Sequence, residues 1–275
     1  MVAAGLLLLA DARLPAGGHV HSGSLEAAVR AGVVTDVPSL HGFLRGRLVS
    51  AGLVAAAFAA AATRLAESLD GGDAACWAEL DAELDARTPA AGQRLASRQQ
   101  GRGLLRTLPG RAVRRGAESV AGAADAAARG AAGLGAAGLG GADLSAADLG
   151  AAGVSDAEVD AGAVLAALRA GCPAGAHHSL AFGAGAAILG GSAEDAAVAI
   201  ALASVTGPAS AAVRLLALDP FAVQSTLTSL ASTVDSVAAT AATPLPWAEL
   251  PDEGAPALDL LADTHATLSD TLFVS

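Results

Sequence analysis

Leu53-Val54-Ala55-Ala56-Ala57-Phe58-Ala59-Ala60-Ala61-Ala62-Thr63-Arg64-Leu65-Ala66-Glu67-Ser68-Leu69 is the stretch on which the fold turns. Alanine has the highest helix propensity of the residues, and a run this long reads as a helix. Asp70-Gly71-Gly72-Asp73 breaks it. The whole chain is built with the same economy. Hydrophobic residues make up 53% of its 275 residues, yet aromatics are 3% and tyrosine is absent. A core so short of large side chains becomes dense where small residues let helices approach closely. Strand formers do not alternate along the chain, so the fold class reads as all-α.

Working outward, Ser24 to Ala31 reads as a short helix. Ser22 or Ser24 caps it, Glu26 sits in its positive first turn and Gly32 ends it. Asp36 caps a second helix, with Pro38 in its first turn and Leu40, Phe43, Leu44 and Leu48 on one face. Trp77, Leu80 and Leu84 form the next apolar stripe, ending near Thr88-Pro89. Further helices are expected over 93–108, 177–189 and 196–205, the last opened by a capping-box-like Ser192-Ala193-Glu194-Asp195. Pro208 is expected to open a separate helix closed by Asp219-Pro220, followed by one helix over 221–242. A loop over 244–256, a last helix over 257–268 and an apolar tail complete the chain.

These elements predict a single-domain multi-helix bundle over 1–275 with an Ala/Gly-rich insertion at 116–160. Within the insertion Leu134, Leu139, Leu144, Leu149 and Val154 recur every five residues, like pentapeptide repeats. The run is too short for a solenoid and reads as a flexible, low-complexity segment.

The net charge is −11, and all 16 basic residues are arginine. That balance argues against nucleic acid, which is held largely through its phosphates. Mean hydropathy is +0.51, but Arg64 interrupts the longest apolar run, short of the roughly 20 residues a span needs. The apolar run over 5–10 has no basic segment before it and is followed by Asp11 and Arg13, so no signal peptide is expected. Cys76 and Cys172 stand alone. A reduced, cytoplasmic protein outside the membrane is expected.

No phosphate loop, nucleophile elbow or other catalytic motif is present in the sequence, so neither an enzyme nor a cofactor is expected. Arg94, Arg98, Arg102 and Arg106 recur every four residues and line one side of a helix. The stripe reads as a solvated face or as a contact for an acidic partner. His19 and His21 could approach a metal such as nickel, but two imidazoles alone make an incomplete site. His177 marks a helix start, and His265 is a favourable charge at a helix C-terminus. Leu272-Phe273-Val274 is too apolar for a free tail, so it folds back on the core or docks on a partner.

The ordered set of motifs resembles the UreF-type urease accessory proteins, especially the actinobacterial kind. The resemblance rests on Leu14-Pro15-x-Gly17-x-His19-x-His21-Ser22 followed by Leu25-Glu26, then Ala86-Arg87-Thr88-Pro89 and Ala96-Ser97-Arg98-x-Gln100-Gly101-Arg102-Gly103-Leu104. It continues through Thr206-Gly207, Arg214-Leu215-Leu216-Ala217-Leu218-Asp219-Pro220 and His265 to the terminal Leu272-Phe273-Val274-Ser275. It implies an all-helical, non-catalytic dimer that binds the accessory protein UreD (also called UreH). That pair recruits the GTPase UreG and supports nickel delivery to the urease apoprotein. By resemblance, the segment from His265 through Leu268 and Leu272 to Ser275 binds UreD/UreH, and the arginines at 94, 98 and 102 are candidate contacts for UreG. Thr271 stands where the family commonly has Arg, and the 116–160 segment is longer than the family needs. Two other readings stay open: a nickel-binding metallochaperone using His19 and His21, and an unrelated helical interaction protein using the pentapeptide-like tract.

Overall fold

A computed structural model describes residues 4–11, 21–68, 71–108 and 159–273. The described residues form helices without a strand. They are α1 (Ala4–Leu9), α2 (Leu25–Arg30), α3 (Val37–Arg47), α4 (Leu53–Glu67), α5 (Ala74–Ala86) and α6 (Ala91–Thr107). After the 109–158 stretch come α7 (Ala161–Gly171), α8 (His178–Ile188), α9 (Ala193–Leu216), α10 (Pro220–Ser229), α11 (Ala231–Ala241) and α12 (Pro256–Ala266). The expected 116–160 insertion and its five-residue repeat lie outside the described residues, apart from Val159 and Asp160.

The alanine run is α4, and it sits at the centre, packed most extensively on α8 and α9. Phe58 and its alanine neighbours are fully buried. Close approach replaces bulk here. A side chain at Gly183 of α8 would strike the Ala59 carbonyl, and one at Gly101 of α6 would strike the Ala176 carbonyl. The buried Thr63 hydroxyl donates to Ala59 O and Gly183 O at 2.9 and 3.1 Å, so α4 and α8 also share a polar contact.

Several boundaries differ from the sequence expectation. Asp36 does cap α3, and Ser39 completes the box. However, α3 continues into α4 through a π-helical turn, Leu48–Gly52, instead of ending. Gly52 permits this, because a Cβ there would lie 2.7 Å from Ser204 Oγ of α9. Pro208 does not open a helix; it lies inside α9, whose start is capped by Ser192 as expected. Proline has no N–H for the carbonyl four residues earlier. That carbonyl, Ser204 O, instead accepts from Arg47 Nε at 3.0 Å. The expected 221–242 helix divides at Leu230 into α10 and α11. Ser225, Thr226, Thr228 and Ser229 all turn their hydroxyls back onto α10 carbonyls, a pattern that loosens and bends helices. Helix α7 was not anticipated. Asp160 caps it through the N–H groups of Gly162 and Ala163, and Val164, Leu165 and Leu168 are buried.

Residues 37–67 and 193–216 are long and apolar enough to cross a membrane by length and composition. In the fold, 67% and 50% of their most apolar windows are buried, as suits core helices. The apolar run near the start forms α1, which seats Leu6 and Leu9 in the core beside α8.

Candidate docking site

The two ends of the described fold meet at one carboxylate. Glu26 of α2 is 1% exposed. Its Oε1 accepts the Leu272 N–H at 2.9 Å, and its Oε2 accepts the Phe273 N–H at 3.0 Å. His265 Nε2 lies 3.3 Å from Oε2, and Arg30 Nη2 donates to Oε1 at 3.3 Å. Arg30 also donates to the Asp270 carbonyl at 2.6 Å and reaches Ser269 O at 3.5 Å. Two residues one turn apart on α2 thus fix the course of the chain from 265 to 273.

The capping of α2 explains how Glu26 is placed. Ser24 occupies the N-cap position with a left-handed φ of 69° and makes no side-chain cap; Ser22 Oγ accepts the Glu26 N–H instead, at 3.2 Å. The Ser24 hydroxyl is turned to Leu258 O on α12 at 3.4 Å. Burial by itself would raise the Glu26 pKa. The Leu272 N–H, the His265 imidazole, the Phe273 N–H and Arg30 outweigh burial and hold the carboxyl below its ordinary range.

The apolar tail divides between two roles. Phe273 folds back and is 4% exposed, with the Arg214 guanidinium 4.8 Å above its ring. Leu272 points outward and is 64% exposed. Leu268 is half-buried, while Val274 and Ser275 lie outside the described residues. Thr271 is exposed, and the guanidinium groups that touch this tail come from Arg30 and Arg214.

The arginine stripe is not a simple solvated face. Arg98 lies between Asp81 and Asp85 at 2.8 and 2.6 Å and donates to the Gly175 carbonyl at 2.5 Å. Arg94 donates to the carbonyls of Thr88 and Pro89, and Arg102 to that of Ala174. These three side chains therefore tie α6 to α5 and to the loops on either side. The buried His177 precedes α8, as expected, and joins the same network. Its Nδ1 lies 3.0 Å from Ser97 Oγ and its Nε2 lies 2.9 Å from Asp85. Burial pushes the His177 imidazole down, against the pull of Asp85.

Leu14, Pro15, Gly17 and His19 lie outside the described residues. His21 is half-buried and lines a cavity of about 450 Å³ together with His178. Enclosure pushes His178 down to about 4, and the nearby His21 adds to the shift. Among the described residues, no group of three or more His, Cys, Asp or Glu is placed to hold a metal ion. Sequence reasoning named Glu26 and the 265–275 segment separately, without joining them, and missed Arg30, whose i, i+4 spacing from Glu26 was the available signal. It also missed the acids Asp81 and Asp85, likewise four apart.

Comparison with known proteins bears on this geometry. A sequence model of the UreF family matches residues 34–231. The chain is 36% identical over 270 residues to the urease accessory protein UreF of Mycobacterium marinum, covering 98% of this chain and 97% of that one. It is 36% identical over 271 residues to its namesake in a Mycobacterium species, strain JLS, with the same coverage. Against the protein of the same name from Mycobacterium bovis, identity is 50% over 101 residues, or 37% of this chain and 44% of that one.

Proposed function

The chain belongs to the UreF family of urease accessory proteins, and from that premise we propose that it is a non-catalytic adaptor in urease maturation. In this reading it works in the cytoplasm as a homodimer. It binds UreD/UreH, recruits the GTPase UreG and so supports nickel insertion into the urease apoprotein. Nickel is cargo here, and GTP hydrolysis belongs to UreG.

The observation that carries the reading is the ordered C-terminal segment. Residues 265–273 are set by Glu26 and Arg30, with Phe273 anchored and Leu272 left exposed. A preordered segment loses less conformational freedom on association than a free one, which favours docking. An exposed leucine beside it supplies apolar area worth ~25 cal/mol per Å² when covered.

Size-exclusion chromatography with light scattering tests this. The intact chain is expected to co-elute with UreD/UreH and UreG, and the chain lacking 265–275 is expected to lose UreD/UreH. Failure of the intact, folded chain to form any complex would refute the adaptor reading.

A further inference from the structure

We propose that the cavity beside the π-helical turn binds a small monocarboxylate with an apolar body, held by Arg47. His265 and Ala266, at the start of the proposed docking segment, also line this cavity, but the charge that would hold the ligand is that of Arg47, on α3. The cavity, about 450 Å³, falls in the size range of small-ligand sites. Val54, Phe182 and Ile200 are among the apolar side chains in its walls.

Arg47 is the last residue of α3 and stands at the start of the π turn, a feature frequently found at functional sites. Two backbone carbonyls orient its guanidinium: Nε donates to Ser204 O and Nη1 to Gly23 O, each at 3.0 Å. Nη2 makes no hydrogen bond to any described residue. No carboxylate among the described residues lies within ion-pair reach of it. Enclosure by protein pushes the Arg47 pKa down to about 10, with no neighbouring charge offsetting the effect. A half-buried guanidinium held by neutral carbonyls alone favours an anion beside it.

The remaining lining charges select the kind of anion. Arg87 also lines the cavity but is engaged by Glu83 and by the carbonyls of the 247–250 turn. Glu253 and Asp259 line it too, and their repulsion weighs about twice as heavily on a dianion such as phosphate as on a monoanion. His177 and His178 are pushed toward the neutral form by burial, so they add no positive charge near neutral pH. Arg47 thus offers one positive charge to match a single negative one, and the apolar walls favour a hydrocarbon body over a second polar group.

The test is isothermal titration and thermal denaturation of the intact chain with acetate, butyrate, hexanoate and phosphate at constant ionic strength. Saturable stabilisation is expected, tightening from acetate to hexanoate and absent with phosphate. Arg47→Gln should weaken hexanoate binding by at least ~tenfold, the equivalent of about 1.4 kcal/mol. Because Arg47→Gln also removes a donor from Ser204 O, Ala51→Leu serves as a second variant. It narrows the cavity wall while leaving the guanidinium in place, and it should abolish binding. No saturable carboxylate binding, equal binding of phosphate, or full hexanoate affinity in either folded variant would overturn the proposal.

Discussion

Glu26 is a carboxylate that has exchanged water for four protein donors. Glu26→Gln keeps the shape but removes the charge, and an amide nitrogen cannot accept the N–H it would face. A loss of about 1–3 kcal/mol is expected by urea unfolding. Amide exchange at Leu272 and Phe273 should accelerate well beyond the global change. The pH dependence follows the same logic. The folded pKa of Glu26 lies below its ordinary value, so its contribution is present above the ordinary Glu range. It is lost as pH falls through the lowered folded value. Tail amides should thus stay protected at neutral pH and open in acid, and protection that persists unchanged in acid would contradict this. Arg98→Ala leaves the 8%-exposed Asp81 without its guanidinium and is expected to cost up to about 3 kcal/mol in the same unfolding assay. The half-exposed Asp85 adds less, because water screens it. The sequence displayed each charge series along its own helix. Which series would face which is set by the packing of α5 against α6, and that has no local signature.

At the level of elements, local chemistry was readable and continuity was not. The caps at Asp36 and Ser192 and the stripe of Trp77, Leu80 and Leu84 appear where spacing placed them. Pro208 looked like a helix start because its missing N–H ordinarily needs a helix end. Its real compensation comes from Arg47, 161 residues earlier in the chain, where no window of neighbours could show it. The glycines carry a similar lesson. Gly101 and Gly183 weaken a helix by propensity, yet each marks a point where one helix rests on another backbone. Gly101→Ala and Gly183→Ala should therefore destabilise by roughly 1–3 kcal/mol through overpacking, although alanine is the better helix former. Denaturant midpoints that rise in either variant would show that the crossing can relax.

For the whole molecule, the decisive connection joins residues 246 positions apart, Glu26 and Leu272. Removing 265–275 should change stability as well as test the proposed docking role. It strips the Glu26 carboxyl of the Leu272, His265 and Phe273 partners that help to hold its pKa below the ordinary range, so the truncated chain should lose stability preferentially at neutral pH, where the carboxyl is ionised. Comparing the melting temperatures of intact and truncated chains at pH 7 and at pH 4 measures this, and the gap should narrow in acid. The same connection has a consequence for biosynthesis. Helix α2 leaves the ribosome long before the residues that complete it. Until those arrive, the Glu26 carboxylate lacks two of the donors that hold it in the folded chain. A prematurely terminated chain stays in that state permanently. Closure of this contact is therefore a late event in synthesis: Glu26 waits for its Leu272 and Phe273 donors until the chain has been read through residue 273.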